Sequence, residues 1–270
     1  MKWVVGVALL LVIAGMAVLA ARPGVDAICV VQAAHDRLRH KHPGWQCLHY
    51  AASRGDAAAI DAIIDAGPPV AAHTDDGATA LAIAAAHGRL MAVKDLLARG
   101  ATPGGVIDDA DAPLYRAAAN GHPAVIRALI AAGADVNRPN AQGRTPLWIN
   151  AARSPRDNTE IAHSLVNAGA SIDRPDTSGD TPLIAAARSG HADLVGFLMS
   201  GGADAEHRNR RGETALFLAV TNNHAGSVKQ LLVRGADPQA QVRGITPLAA
   251  ARRHNENDMV RLLRANGAGG

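Results

Sequence analysis

The residues best suited to chemistry in this 270-residue chain are its twelve histidines and two cysteines. Four histidines, His35, His40, His42 and His49, fall close together near the N-terminus, where a divalent metal would be the natural ligand. Their spacing matches no recognised zinc pattern, and solvated or capping histidines explain them more simply. Cys29 and Cys47 are not spaced as Cys-x-x-Cys. In an oxidising compartment they would bridge and stabilise by roughly 3 kcal/mol in the chain-entropy model; two buried thiols are the equal alternative. The stretch Gly100 to Gly105 is glycine-rich but has no lysine to meet a phosphate. Gly-x-Ser-x-Gly, His-Glu-x-x-His and Gly-Lys-Ser/Thr are all missing. No catalytic residue, metal site or cofactor is therefore expected.

What positions the remaining residues is a repeat. Leu48, Leu81, Leu114, Leu147, Leu183, Leu216 and Leu248 recur at spacings of 33, 33, 33, 36, 33 and 32 residues. Around them recur Gly-x-Thr-Pro-Leu, Ala-Ala, Gly-His, Leu-Leu and Gly-Ala-Asp. Pro113 suits a first helical turn because that turn leaves its amide unpaired and φ near −65° fits. Thr145, Thr181, Thr214 and Thr246 precede that position, where a hydroxyl can accept from an orphan amide. Ala117 and Ala118 keep the first helix thin. Gly121-His122 separates it from a second helix whose Val125, Ile126, Leu129 and Ile130 form one apolar stripe. A glycine closes the second helix at Gly67, Gly100, Gly133, Gly202, Gly235 and Gly267. Most His and Asp residues thereby acquire structural places: His122 and His191 in the Gly-His turn, Asp135, Asp204 and Asp237 at the helix exit.

This set of motifs resembles the ankyrin repeat family over about residues 44 to 268 in seven units. The resemblance implies an all-α solenoid of stacked helix-turn-helix units with short β-hairpin fingers, each unit burying its apolar face only against neighbours. The organisation expected is a leader over 1–22, an N-terminal capping helix within 23–43, and the array over 44–270, its last unit a soluble cap carrying Arg252, Arg253, Arg261 and Arg264. Aromatics at 3% suffice for such a solenoid. The formal net charge of +3, without a Lys/Arg run, gives no reason to expect nucleic acid.

Residues 3–21 are uncharged and rich in Val, Leu, Ile and Ala, long enough to span a hydrocarbon core of about 20 residues. Length favours a retained anchor, whereas Val18-Leu19-Ala20 offers a cleavage site; both stay open. Lys2 argues for sending the repeats outward, and Arg22, Arg37, Arg39 and Lys41 pull the other way. Export is the preferred orientation. A Gly-, Ala- and Arg-rich chain with this leader looks bacterial, which implies the periplasm, or the inner membrane facing it; an anchored array facing the cytoplasm is the alternative.

Two departures from the repeat stand out. The 36-residue spacing comes from Arg153 to Asn158, which lengthens the turn between the helices of the fourth unit. Asn150 takes a place held by Ala elsewhere, so its amide is expected to find partners in the stack, the inserted turn being nearest.

The family resemblance implies a protein partner in the concave groove, touching the finger tips and the two residues after Ala-Ala. On this chain those positions include Asp75, Asp76, Asp108, Asp109, Asp111, Gln142, Arg144, Arg153, Arg188, Arg210, Arg211 and Arg243. The early fingers are acidic and the late ones basic. Helix pairs stack about 8 to 10 Å apart, and the Debye length is about 8 Å at physiological salt, so the two ends do not neutralise each other. A partner of complementary polarity would be steered into one orientation; solvated loop tips are the bland alternative. The reading is a monomeric, non-catalytic interaction protein, membrane-bound through residues 3–21 if the leader is retained. An inhibitor or immunity protein that blocks an enzyme or toxin is one alternative, and a metal-binding protein using the histidine cluster another.

Overall fold

The computed structural model describes residues 44–65, 69–74, 77–104, 112–153, 159–253 and 256–269, the side chains of 44–46 excepted. The leader, the expected capping helix, Cys29, His35, His40 and His42 lie outside the described residues.

Fourteen helices are described, two per unit. The first helices of the units are α1 (Gly44–Arg54), α3 (Ala80–Ala86), α5 (Pro113–Ala119), α7 (Pro146–Arg153), α9 (Pro182–Ser189), α11 (Ala215–Thr221) and α13 (Pro247–Arg253). The second helices are α2 (Ala57–Asp65), α4 (Leu90–Ala98), α6 (Pro123–Ala131), α8 (Thr159–Asn167), α10 (Ala192–Ser200), α12 (Ala225–Val233) and α14 (Asn257–Ala265). Each helix packs on its partner within the unit and on its counterparts in adjacent units, giving two parallel rows, inner and outer.

The recurring residues account for this order. All seven repeat leucines are at most 2% exposed, and burying each contributes about 1.5 to 3 kcal/mol. Thr79, Thr145, Thr181, Thr214 and Thr246 accept from the amides of Ala82, Trp148, Ile184, Phe217 and Ala249, capping five inner helices. In the third unit α6 ends as its sequence predicts. The amide of Gly133, at φ 85°, donates to Ile130, and that of Ala134 reaches back to Leu129.

Between units the chain turns through fingers that depart from a hairpin ladder. Among the described residues the only β pairing is two isolated bridges, His73 with Thr79 and Val242 with Ile245. Side-chain staples close the other described fingers. Asn140 Oδ1 accepts from the amides of Gln142 and Arg144, each at 3.0 Å. Asp176 and Asn209 do the same for Ser178 with Asp180 and for Arg211 with Glu213. The finger before α13 is one residue shorter because it uses a two-residue turn, Arg243 and Gly244 both at positive φ and flanked by reciprocal bonds between Val242 and Ile245.

Asn150 breaks the expectation set for it. It is wholly buried in α7, and neither amide atom has a hydrogen-bond partner. The reason is its column: Ala51, Ala84, Ala117, Ala186, Ala219 and Ala251 occupy the same place in the other inner helices, so its surroundings are alkyl. The backbone groups of neighbouring helices are already engaged in their own ladders.

Candidate interaction face

Among the described residues, the buried polar side chains lie on the fingers and the inner helices, Ser227 on α12 excepted. One column is set by the residue following each repeat leucine. In units one, three and four that residue bonds across to a finger. His49 Nε2 lies 3.3 Å from the Ala72 carbonyl. The Tyr115 hydroxyl accepts from Asn140 Nδ2 at 3.1 Å, and the Trp148 indole N–H donates to the Asp180 carbonyl at 2.8 Å.

Trp148 stands at the centre of the most organised region. Its ring supports the Arg144 guanidinium 4.4 Å from the centroid, a cation–π contact. Arg144 also reaches the Asp176 carboxylate at 3.4 Å, and Arg188 pairs with Asp180 at 2.6 Å. The two aspartate side chains are 1% and 4% exposed while both arginines are 37% exposed. Positive groups therefore face outward and their counter-charges lie beneath. Asn209 Nδ2 donates to both Asp180 and Glu213, tying the fifth unit to the sixth. Burial pushes the Tyr115 hydroxyl pKa up, opposed by the charges of Arg144 and Arg153, which places both arginines within electrostatic reach of the ring.

Of the sequence-predicted residues, Gln142, Arg153, Arg210, Arg211 and Arg243 are exposed. Arg144 and Arg188 stand on this face but are each held by an aspartate. Asp75, Asp76, Asp108, Asp109 and Asp111 lie outside the described residues. Sequence reasoning missed Trp148, Tyr115 and the finger staples. A signal was there: Thr74, Asn140, Asp176 and Asn209 each stand seven residues before a repeat leucine.

The histidines that open the outer helices join units together. His122 Nε2, His191 Nδ1 and His224 Nε2 bond to the carbonyls of Ala86, Ala151 and Arg188 in the preceding units. Cys47 is buried and disulfide-bonded, its partner lying outside the described residues. Among the described residues, no group of three or more His, Cys, Asp or Glu is placed to hold a metal ion, and no helix is long and apolar enough to cross a membrane.

Stacked helix pairs joined by stapled turns, with polar side chains along one face, define an all-α repeat solenoid. A family model for ankyrin repeats matches residues 17–107, 104–176, 148–242 and 183–269, and the chain belongs to the ankyrin repeat family. Among solved structures it is similar to the human ASB11 ankyrin repeat domain, at 24% identity and a TM-score of 0.72, over 85% of this chain and 100% of that one. No curated protein matches it. Ankyrin repeats are generally protein–protein interaction modules, and their fold is typically a non-catalytic scaffold.

Proposed function

We propose that this chain is a monomeric scaffold, exported or membrane-tethered, that holds a protein partner against its fingers and inner helices. The observation that carries the reading is the row of exposed Arg153, Arg210 and Arg211 beside the half-exposed Arg144 and Arg188, all on one face across units four to six. Exposed arginines flanking an arginine that rests on a fixed tryptophan ring have the composition of an interface centre. The acidic residues of the early fingers would give the partner a single orientation.

Placement outside the cytoplasm is supported by the uncharged residues 3–21 and by the burial of Cys47 in a disulfide, for which Cys29 is the only other cysteine in the sequence. Intact mass and thiol labelling of protein from soluble and membrane fractions test this part. Blocked thiols support it, and two freely labelled thiols overturn it. For the scaffold itself, the test is affinity purification from native cells of the wild-type chain, of a triple variant Arg153→Glu/Arg210→Glu/Arg211→Glu, and of an outer-row variant Val233→Glu. The reading expects the triple variant alone to lose the bound protein. Equal retention by all three would overturn it.

A further inference from the structure

We infer that Arg144 and Arg188 are two fixed anchors for an acidic segment of the partner, and that Trp148 is the positioning residue that sets both. This rests on the scaffold reading above and adds the chemistry of what is held. Trp148 acts on the two arginines by different routes. Its ring face carries the Arg144 guanidinium. Its indole N–H fixes the Asp180 main chain, and the Asp180 carboxylate holds Arg188. Asn209 pins that carboxylate from the neighbouring finger at 2.8 Å. Each guanidinium thus has a buried counter-charge beneath it, which favours one placement over the rotamers open to an ordinary surface arginine.

Each anchor retains donors for a partner. Arg144 engages Asp176 through Nε, leaving both terminal nitrogens, and Arg188 engages Asp180 through Nη1. A planar fork already immobilised loses little entropy when it accepts a second carboxylate. Charge selects the occupant. Around the anchors stand the exposed Arg153, Arg210 and Arg211, whereas of the carboxylates bonded into this network among the described residues, Asp176, Asp180 and Glu213, two are buried. A basic segment would find its cationic groups facing outward-pointing arginines and a neutral one would leave them without a counter-charge, whereas glutamates or aspartates would find paired donors. The arginines at the far end, Arg252 and Arg253, are exposed and no carboxylate is bonded to either among the described residues. They supply a control for plain charge attraction.

The test is equilibrium binding of a fluorescein-labelled hexaglutamate peptide, and of hexalysine, to the full chain in non-ionic detergent at low salt. The wild-type chain should bind hexaglutamate at least about tenfold more tightly than hexalysine. Arg144→Gln and Arg188→Gln should each weaken hexaglutamate about fivefold or more, and Arg252→Gln/Arg253→Gln less than about twofold. Trp148→Phe leaves the net charge unchanged, so a loss of about threefold in a chain whose circular dichroism shows it folded at the assay temperature reports positioning alone. Because Arg188→Gln leaves the buried Asp180 carboxylate without its counter-charge, Arg188→Gln/Asp180→Asn is measured beside it and should show the same loss in a chain that remains folded. Equal losses at both ends of the array, undiminished binding by Trp148→Phe, or no binding at all would overturn the anchors. If the anchors fail while the triple variant still loses its cellular partner, the scaffold reading stands and this deepening of it falls.

Discussion

Replacing Asn150 with alanine should make this protein more stable, although the residue is wholly buried. Both atoms of its carboxamide lack hydrogen-bond partners, and a buried polar group left unsatisfied costs about 1 to 3 kcal/mol. Removing it leaves a void of roughly 25 Å³, a loss of roughly 0.6 kcal/mol at the measured cavity coefficient. Alanine recovers about the same amount through higher helix propensity. The two small effects offset, and a net gain of about 1.5 kcal/mol is expected. Six other inner helices carry alanine at this place, so the stack accommodates it without rearrangement. Urea unfolding followed by circular dichroism provides the assay, with the slope against denaturant required to match wild type. A loss of more than about 0.5 kcal/mol would refute the reasoning, because it would mean the carboxamide packs or bonds better than its surroundings allow.

Four further outcomes follow from named contacts. Ser227 is wholly buried with its hydroxyl unpartnered, where other outer helices carry Ala, Val, Ile, Leu or Met; Ser227→Ala should gain about 1 kcal/mol by the same assay. Gly179→Ala should cost about 2 kcal/mol or more, since φ is 81° and the new Cβ would lie 2.9 Å from the Arg210 amide nitrogen. Thr181→Ala should lose about 1 kcal/mol by leaving the Ile184 amide without its cap; calorimetric melting checks both. The Asp173 carboxyl is raised by burial, which outweighs the bond from the Asp204 amide. A carboxyl raised in the folded state binds its proton more tightly there, so this group makes stability fall as pH rises from the ordinary aspartate value through its own. Asp173→Asn should remove that slope, seen as a flatter melting temperature across the acid range.

The repeat was legible because its residues act locally. Leu147 buries, Thr145 caps, and Gly133 adopts positive φ for reasons that depend only on position within a unit. The face was legible in part. Gln142, Arg153, Arg210, Arg211 and Arg243 stand exposed where spacing puts them, but spacing gives no hint that Arg144 and Arg188 rest on buried aspartates. Asp176 comes from the finger after that of Arg144 and Asp180 from the finger that leads into the helix of Arg188, and both read in sequence as ordinary loop acids. Asn150 shows the opposite failure. A buried amide is normally satisfied, and the prediction overlooked that its six equivalents, being alanines, guarantee apolar surroundings. The side chain of Trp148 serves two neighbours at once, which a single period cannot reveal.

The central claim, that partners are held on the finger and inner-helix face, is tested most directly by photo-crosslinking in the native cell. A photoreactive residue is placed at Ser189, exposed on α9, in one strain and at Val233, 67% exposed on α12, in another. A discrete protein adduct from Ser189 and none from Val233 is the predicted result. An adduct from Val233 alone would place the partner on the outer row and contradict the account.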